Sequence, residues 1–218
     1  MIHSMKRLLL ATLLAMSASL SMPMALAAGP AAGSATDIAA VQQRVAKVDV
    51  LRGEFQQEKQ VAGFNNPLRS QGRFLLARDK GVVWSTLKPF PSEVVLTRDR
   101  ILSRQADGST RVELDGSQQP ALRSVNAMMF ALVSGDVQAL SAQFKVSVQL
   151  QGSDAWQMRL EPRSAMLGKA FSALQLKGDR FVREVVIEEA SKDRTTIRFS
   201  ALSETPASLS AAEEQALD

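Results

Sequence analysis

The feature that most limits this chain is a period of two that begins at Val50. Leu51, Gly53, Phe55 and Gln57 fall on one parity, with Arg52, Glu54 and Gln56 on the other. Such alternation marks a strand with one buried face. Leu68 to Ala77 and Val82 to Thr86 follow, and Glu93 to Thr97 with Ile101 to Gln105 read as a hairpin pair. Asp107-Gly108 and Asp115-Gly116 are tight-turn signals on either side of Thr110 to Leu114. The pattern resumes in Gln143 to Leu150, Ala155 to Glu161, Ser172 to Leu176, Phe181 to Glu189 and Arg194 to Ser200. About ten or eleven short strands at this spacing specify a mainly β, antiparallel sandwich or barrel.

Three stretches break the period. Asp37 can cap a helix, and Ile38, Val41, Val45 and Val48 then recur at helical spacing, so a helix is predicted from Asp37 to Lys47. Ser124 to Ser134 carries Val125, Met128, Met129, Leu132 and Val133 at the same spacing and almost no charge. It reads as a short helix buried on at least one side and ended by Gly135. The tail from Glu204 is polar and Ala-rich and reads as a frayed helix.

The N-terminus sets the compartment. Lys6 and Arg7 precede an apolar run from Leu8 to Leu20, and Ala25-Leu26-Ala27 offers small residues at a cleavage site. This is the layout of a secretory signal peptide, residues 1–27, and the run falls short of the about 20 residues a membrane span needs. Residues 28–218 then form one periplasmic domain with flexible ends, large enough for a real core. The chain carries a net charge of +4, and loss of Lys6 and Arg7 leaves +2. Residues 28–218 contain no run of consecutive cations, which argues against a nucleic-acid partner.

The missing residue types limit the chemistry. The chain has no Cys, and its one His is His3, inside the signal. The usual zinc sites and the Ser-His-Asp and Cys-His nucleophiles are therefore excluded, while a carboxylate pair or a Ser-Lys dyad stays open with no spacing to mark one out. Glu188 and Glu189 are adjacent on a strand and point to opposite faces, so they cannot converge on a substrate. Asp79 with Glu93 is a second carboxylate pair that nothing in the spacing marks out. The expectation is a non-enzyme with no catalytic residues, no metal and no cofactor.

The segment Arg52-Gly53-Glu54-Phe55-Gln56-Gln57, then Gly72-Arg73-Phe74-Leu75-Leu76-Ala77-Arg78, then Trp84 and Lys88-Pro89-Phe90-Pro91 resembles the N-terminal half of the LolA-type lipoprotein carriers. That family has a Phe-x-Gln element in its first strand. A Gly-led strand ending in Arg follows, then a Trp, then a Pro. Asp79 stands where the family usually has Pro. The resemblance implies an incomplete antiparallel β-barrel, a half-barrel with a short lid helix over an apolar cavity that shields acyl chains. It also implies an acylated cargo, lipoprotein or glycolipid, passed from an inner-membrane donor complex to an outer-membrane acceptor by a monomeric carrier. Two other roles fit the same fold: a sensor or interaction protein, and an accessory lipid-binding subunit of a glycolipid or acyl-chain biosynthetic system. On this reading Phe55, Phe74, Leu76 and Trp84 line the lipid site, and Met128, Met129 and Leu132 form the lid. Arg78 ties the lid helix closed, its five donors suiting it to helix-end carbonyls. Phe74, Leu75 and Leu76 are consecutive, so both faces of their strand must meet apolar surroundings.

Overall fold

The computed structural model describes residues 35–78, 80–97, 100–104, 109–115, 130–131 and 136–217. The expected signal peptide, Asp79 and the lid residues Met128, Met129 and Leu132 lie outside the described residues.

The chain opens with helix α1 (Ala35–Arg44) and then runs through strands β1 (Val50–Gln60), β2 (Leu68–Ala77), β3 (Gly81–Lys88), β4 (Ser92–Thr97), β5 (Arg100–Arg104) and β6 (Thr110–Asp115). Helix α2 (Val137–Gln143) leads into β7 (Phe144–Gln151) and β8 (Ala155–Pro162). A single turn, α3 (Ala165–Gly168), precedes β9 (Phe171–Gly178), β10 (Val182–Glu189) and β11 (Arg194–Ser203), and α4 (Ala211–Leu217) ends the chain. Phe130 and Ala131 are helical, within the stretch predicted as the lid helix.

The strands form one antiparallel sheet of eleven, in the order β6-β5-β4-β3-β2-β1-β11-β10-β9-β8-β7. The sheet does not close on itself, as expected of a half-barrel. Its first and last strands meet in the middle, with Phe55 facing Phe199. Register shifts between Arg52 and Glu54, Gln71 and Gly72, Ile101 and Leu102, and Val182 and Glu184 mark irregular ladder positions. Shifts of this kind bend strands and increase twist, which curves a sheet around its contents.

One parity of the strands builds the main core on the concave face. Leu51, Phe55, Phe74, Leu76, Trp156, Met158, Leu160, Leu174 and Leu176 are buried there with Val41 and Val45 of α1 and Val137 and Leu140 of α2. Helix α1 packs on β7 and on α2. The opposite parity builds a second cluster on the convex face, from Val50, Leu75, Ala77, Val83, Val95 and Leu102. Leu209, Ala216 and Leu217 of the tail cover it. This explains the consecutive Phe74-Leu75-Leu76: Phe74 and Leu76 enter the concave core, and Leu75 lies under the tail.

The expected tail helix is thus docked on the sheet. Arg52 grips Glu213 through two hydrogen bonds, at 2.6 and 2.8 Å, and also donates to the carbonyls of Pro206 and Ser208. The Arg52 hydrogen bonds hold the Glu213 carboxyl down at about 2, from an ordinary 4.5.

Helix α2 was not foreseen. Asp136 caps it, its carboxylate accepting from the Ala139 amide, and Val137, Leu140 and Phe144 turn one face into the core.

Candidate functional site

Glycine makes room for the aromatic floor of the concave face. A Cβ at Gly53 would fall 2.6 Å from the Phe74 ring, and one at Gly72 would collide with the Ser85 carbonyl and the Phe55 ring. Bare backbone at both positions lets these rings lie flat across β1 and β2. Phe55 stacks on Trp84 with ring centroids 3.9 Å apart, and Phe74 lies 6.2 Å from the same indole. Phe199 meets Phe74 and Trp84 edge-on at 5.3 and 6.1 Å. Such offset and T-shaped contacts add about 0.5–1.5 kcal/mol each beyond buried area. The Phe55 row, the Gly72 strand and Trp84, taken separately in the sequence, are one packed unit.

Above this floor lies an apolar cavity of about 310 Å³. Trp84, Val82, Val94, Leu96 and Ile101 wall it on one side, and Val185, Ile187, Ile197 and Phe199 on the other. Among the described residues Gln57 is the one polar side chain in its wall. The size falls at the lower end of small-molecule pockets, about 300–1,000 Å³. A cavity of 150 Å³ admits benzene, so this one matches a single chain of roughly a dozen carbons. Among the described residues no ionisable group lines it. Farther out on the same row of β1, Lys59 bonds Glu189 at 2.7 Å and pairs with Asp193 at 3.4 Å. The Glu189 hydrogen bond raises the Lys59 pKa against a smaller desolvation effect, and the Glu189 charge and Asp193 add to the rise.

Of the residues expected to touch lipid, Trp84 is in the cavity wall. Phe55 and Phe74 lie beneath it in the aromatic floor, and Leu76 is fully enclosed in the core. Sequence reasoning did not single out Val94, Leu96, Ile101, Val185, Ile187, Ile197 and Phe199. Their signal was the parity of their strands. Ladder partners share a face, and the pairs Trp84–Val94, Leu96–Ile101, Val185–Ile197 and Phe55–Phe199 carry one row around the bend.

Arg78 is half-buried, its Nε donating to the Val48 carbonyl at 2.9 Å with Asp49 at 3.7 Å. It therefore braces the connection between α1 and β1. Another arginine ties α1 to the sheet. Arg44, at the end of α1, donates to the carbonyls of Ala155 at 2.5 Å, Gly152 at 3.0 Å and Gln151 at 3.5 Å, all in the β7–β8 hairpin. Glu188 and Glu189 separate as expected: Glu188 meets Arg159 and Gln175, and Glu189 meets Lys59. Glu93 is held by Ser85 and Arg104.

The cavity, the half-barrel and the order of the elements agree with the family match. Residues 46–212 match the model of the outer membrane lipoprotein carrier protein LolA. The chain belongs to the LolA family. No catalytic family is indicated, and LolA-superfamily proteins are periplasmic. Among the described residues no helix is long and apolar enough to cross a membrane. No curated protein matches the chain.

Solved structures of the LolA superfamily and related groups resemble it at low identity. A DUF1329 family protein from Desulfovibrio piger is 13% identical, with 84% of this chain and 98% of that one covered at a TM-score of 0.47. A LolA superfamily protein from Nitrosomonas europaea is 8% identical, with 79% and 93% covered at 0.43. A putative outer membrane lipoprotein-sorting protein domain from Vibrio parahaemolyticus is 9% identical, with 84% and 98% covered at 0.43. The family assignment rests on the LolA match alone.

Proposed function

We propose that this protein is a periplasmic carrier that takes one acyl chain of a lipidated cargo, lipoprotein or glycolipid, into the concave cavity and shields it from water. The observation that carries this reading is the cavity wall, whose described residues are nine apolar side chains and one Gln. Each buried methylene is worth about 0.8 kcal/mol, so a chain of a dozen carbons gains close to 10 kcal/mol before ordering costs. Transfer requires no bond to be made or broken, which suits a site whose described lining holds no ionisable group. The signal segment would deliver the chain to the periplasm, with cleavage after Ala27. An inner-membrane donor would load it and an outer-membrane acceptor would unload it.

Native mass spectrometry of the protein isolated gently from periplasm tests the carrier role. An added mass that resolves into an acylated species is the expected result. A protein that arrives bare and also ignores fluorescent fatty-acyl probes is a sensor or interaction protein, and the carrier reading fails.

A further inference from the structure

The described residues carry six well-exposed large apolar side chains: Phe64, Leu68, Leu87, Phe90, Leu150 and Met166. Isolated cases are ordinary on a protein surface, but their positions here are one-sided. Phe64 and Leu68 lie at the β1–β2 connection, Leu87 and Phe90 at the β3–β4 connection, and Met166 at the β8–β9 connection. In an antiparallel sheet these three connections fall at the same end of the strands. Five of the six therefore rim one end of the half-barrel, and only Leu150 lies at the other.

Phe90 and Phe64 are the most exposed, at 81% and 68%. The loops that carry them, residues 61–67 and 89–91, contain no charged residue. Each is flanked by an exposed cation. Lys88 has no acidic partner among the described residues, and Arg69 meets only Glu58, at 3.0 Å. Gln71 pairs with Lys88 across the β2–β3 ladder, which brings the two loops together at this end.

We propose that this end of the half-barrel docks on a phospholipid bilayer, with Phe64 and Phe90 entering the headgroup layer and Arg69 and Lys88 lying at the lipid phosphates. Protruding tips offer little continuous area, whereas a specific protein interface needs about 800 Å² per partner. A fluid interface needs only apolar side chains that reach it and cations behind them. The proposal stands apart from the carrier reading: a chain that binds no acyl probe still docks if the rim is a membrane surface.

The test is flotation of the protein, as isolated from cells, with vesicles of phosphatidylethanolamine and phosphatidylglycerol, and with vesicles of phosphatidylcholine alone. Phe64→Ser and Phe90→Ser each reduce partitioning about tenfold, and the double variant falls to background. Leu150→Ser, at the opposite end, leaves partitioning unchanged. The Arg69→Gln, Lys88→Gln pair removes most of the preference for the anionic vesicles. Because the sites are exposed, near-UV dichroism of each variant matches the parent. Phe90→Trp is quenched by brominated lipid in the same experiment. A parent that floats with neither vesicle overturns the proposal, as does a double Phe variant that floats like the parent. Dimers that the Phe variants dissolve also overturn it, by making a second copy the occupant.

Discussion

The two halves of the concave face are built from the same alternating apolar residues and end up differently. On the β7–β9 side Phe144, Val146, Met158, Leu160, Leu174 and Leu176 are buried in one cluster with Val41 of α1, the adjoining Val45, and Val137 and Leu140 of α2. On the β3–β5 side Trp84, Val94, Leu96 and Ile101 stay half-buried and wall a cavity with residues of β10 and β11. Residue type does not distinguish these halves. Among the described residues, what distinguishes them is the packing of α1 and α2 on one side, and an apolar strand face becomes sealed core or cavity wall accordingly.

The sharpest way to break that comparison is a matched pair of truncations. Leu160→Ala in the covered half should cost about 2–5 kcal/mol in urea unfolding, as large-to-small changes in sealed cores do. Ile101→Ala in the open half should cost under about 1 kcal/mol, because solvent already reaches the site, yet weaken acyl-probe binding. Equal costs would mean that the two halves are packed alike. Gly72→Ala, at the aromatic floor between them, should destabilise by about 1–3 kcal/mol because the new methyl has no space beside Phe55 and the Ser85 carbonyl. Thermal unfolding would register it, and an unchanged Tm would show that the rings yield.

A smaller effect sharpens the role of the cover. Arg44→Gln removes the carbonyl clamp that holds the end of α1, at a cost of about 1 kcal/mol for partly exposed bonds. Faster amide exchange in residues 35–44 should accompany greater probe uptake, as the covered half comes to behave like the open one. Exchange that stays slow would assign the hold on α1 to Val41 and Val45 alone. The smallest effect is on the convex face. The depressed Glu213 pKa means that its contribution is complete above about 4.5 and is lost as pH falls towards 2. Amides of α4 should therefore exchange faster, relative to the sheet, on acidification through that window. Glu213→Gln should abolish the difference, and a variant that keeps it would shift the titration to another carboxylate.

The strands and Trp84 were legible because alternation is local: each run carries its own evidence in adjacent residues. Cover is not local. Helix α2 announced itself through Asp136 and the Val137, Leu140, Phe144 spacing, but the helix is only seven residues long and the strand pattern beyond Gln143 masked it. The tail was readable as helical, but nothing within it named Arg52, more than 150 residues away, as its anchor. Attention to Arg78 came from the resemblance, whereas the hold of Arg44 on the β7–β8 hairpin exists only once that hairpin has folded back beside α1. Ile197 and Phe199 entered the cavity through the pairing of β11 with β1, a contact that no short window contains.

That pairing also bears on time. β1 to β6 and β7 to β11 are runs of neighbours that can zip up in sequence, but they become one sheet only when the last strand joins the first. The loop to be closed is most of the chain, and long-range pairing of this kind is slow. A nascent polypeptide therefore has no complete half-barrel until β11 is available. On the proposed route of export, this order of strands would keep the chain extensible during passage and complete the sheet on the far side.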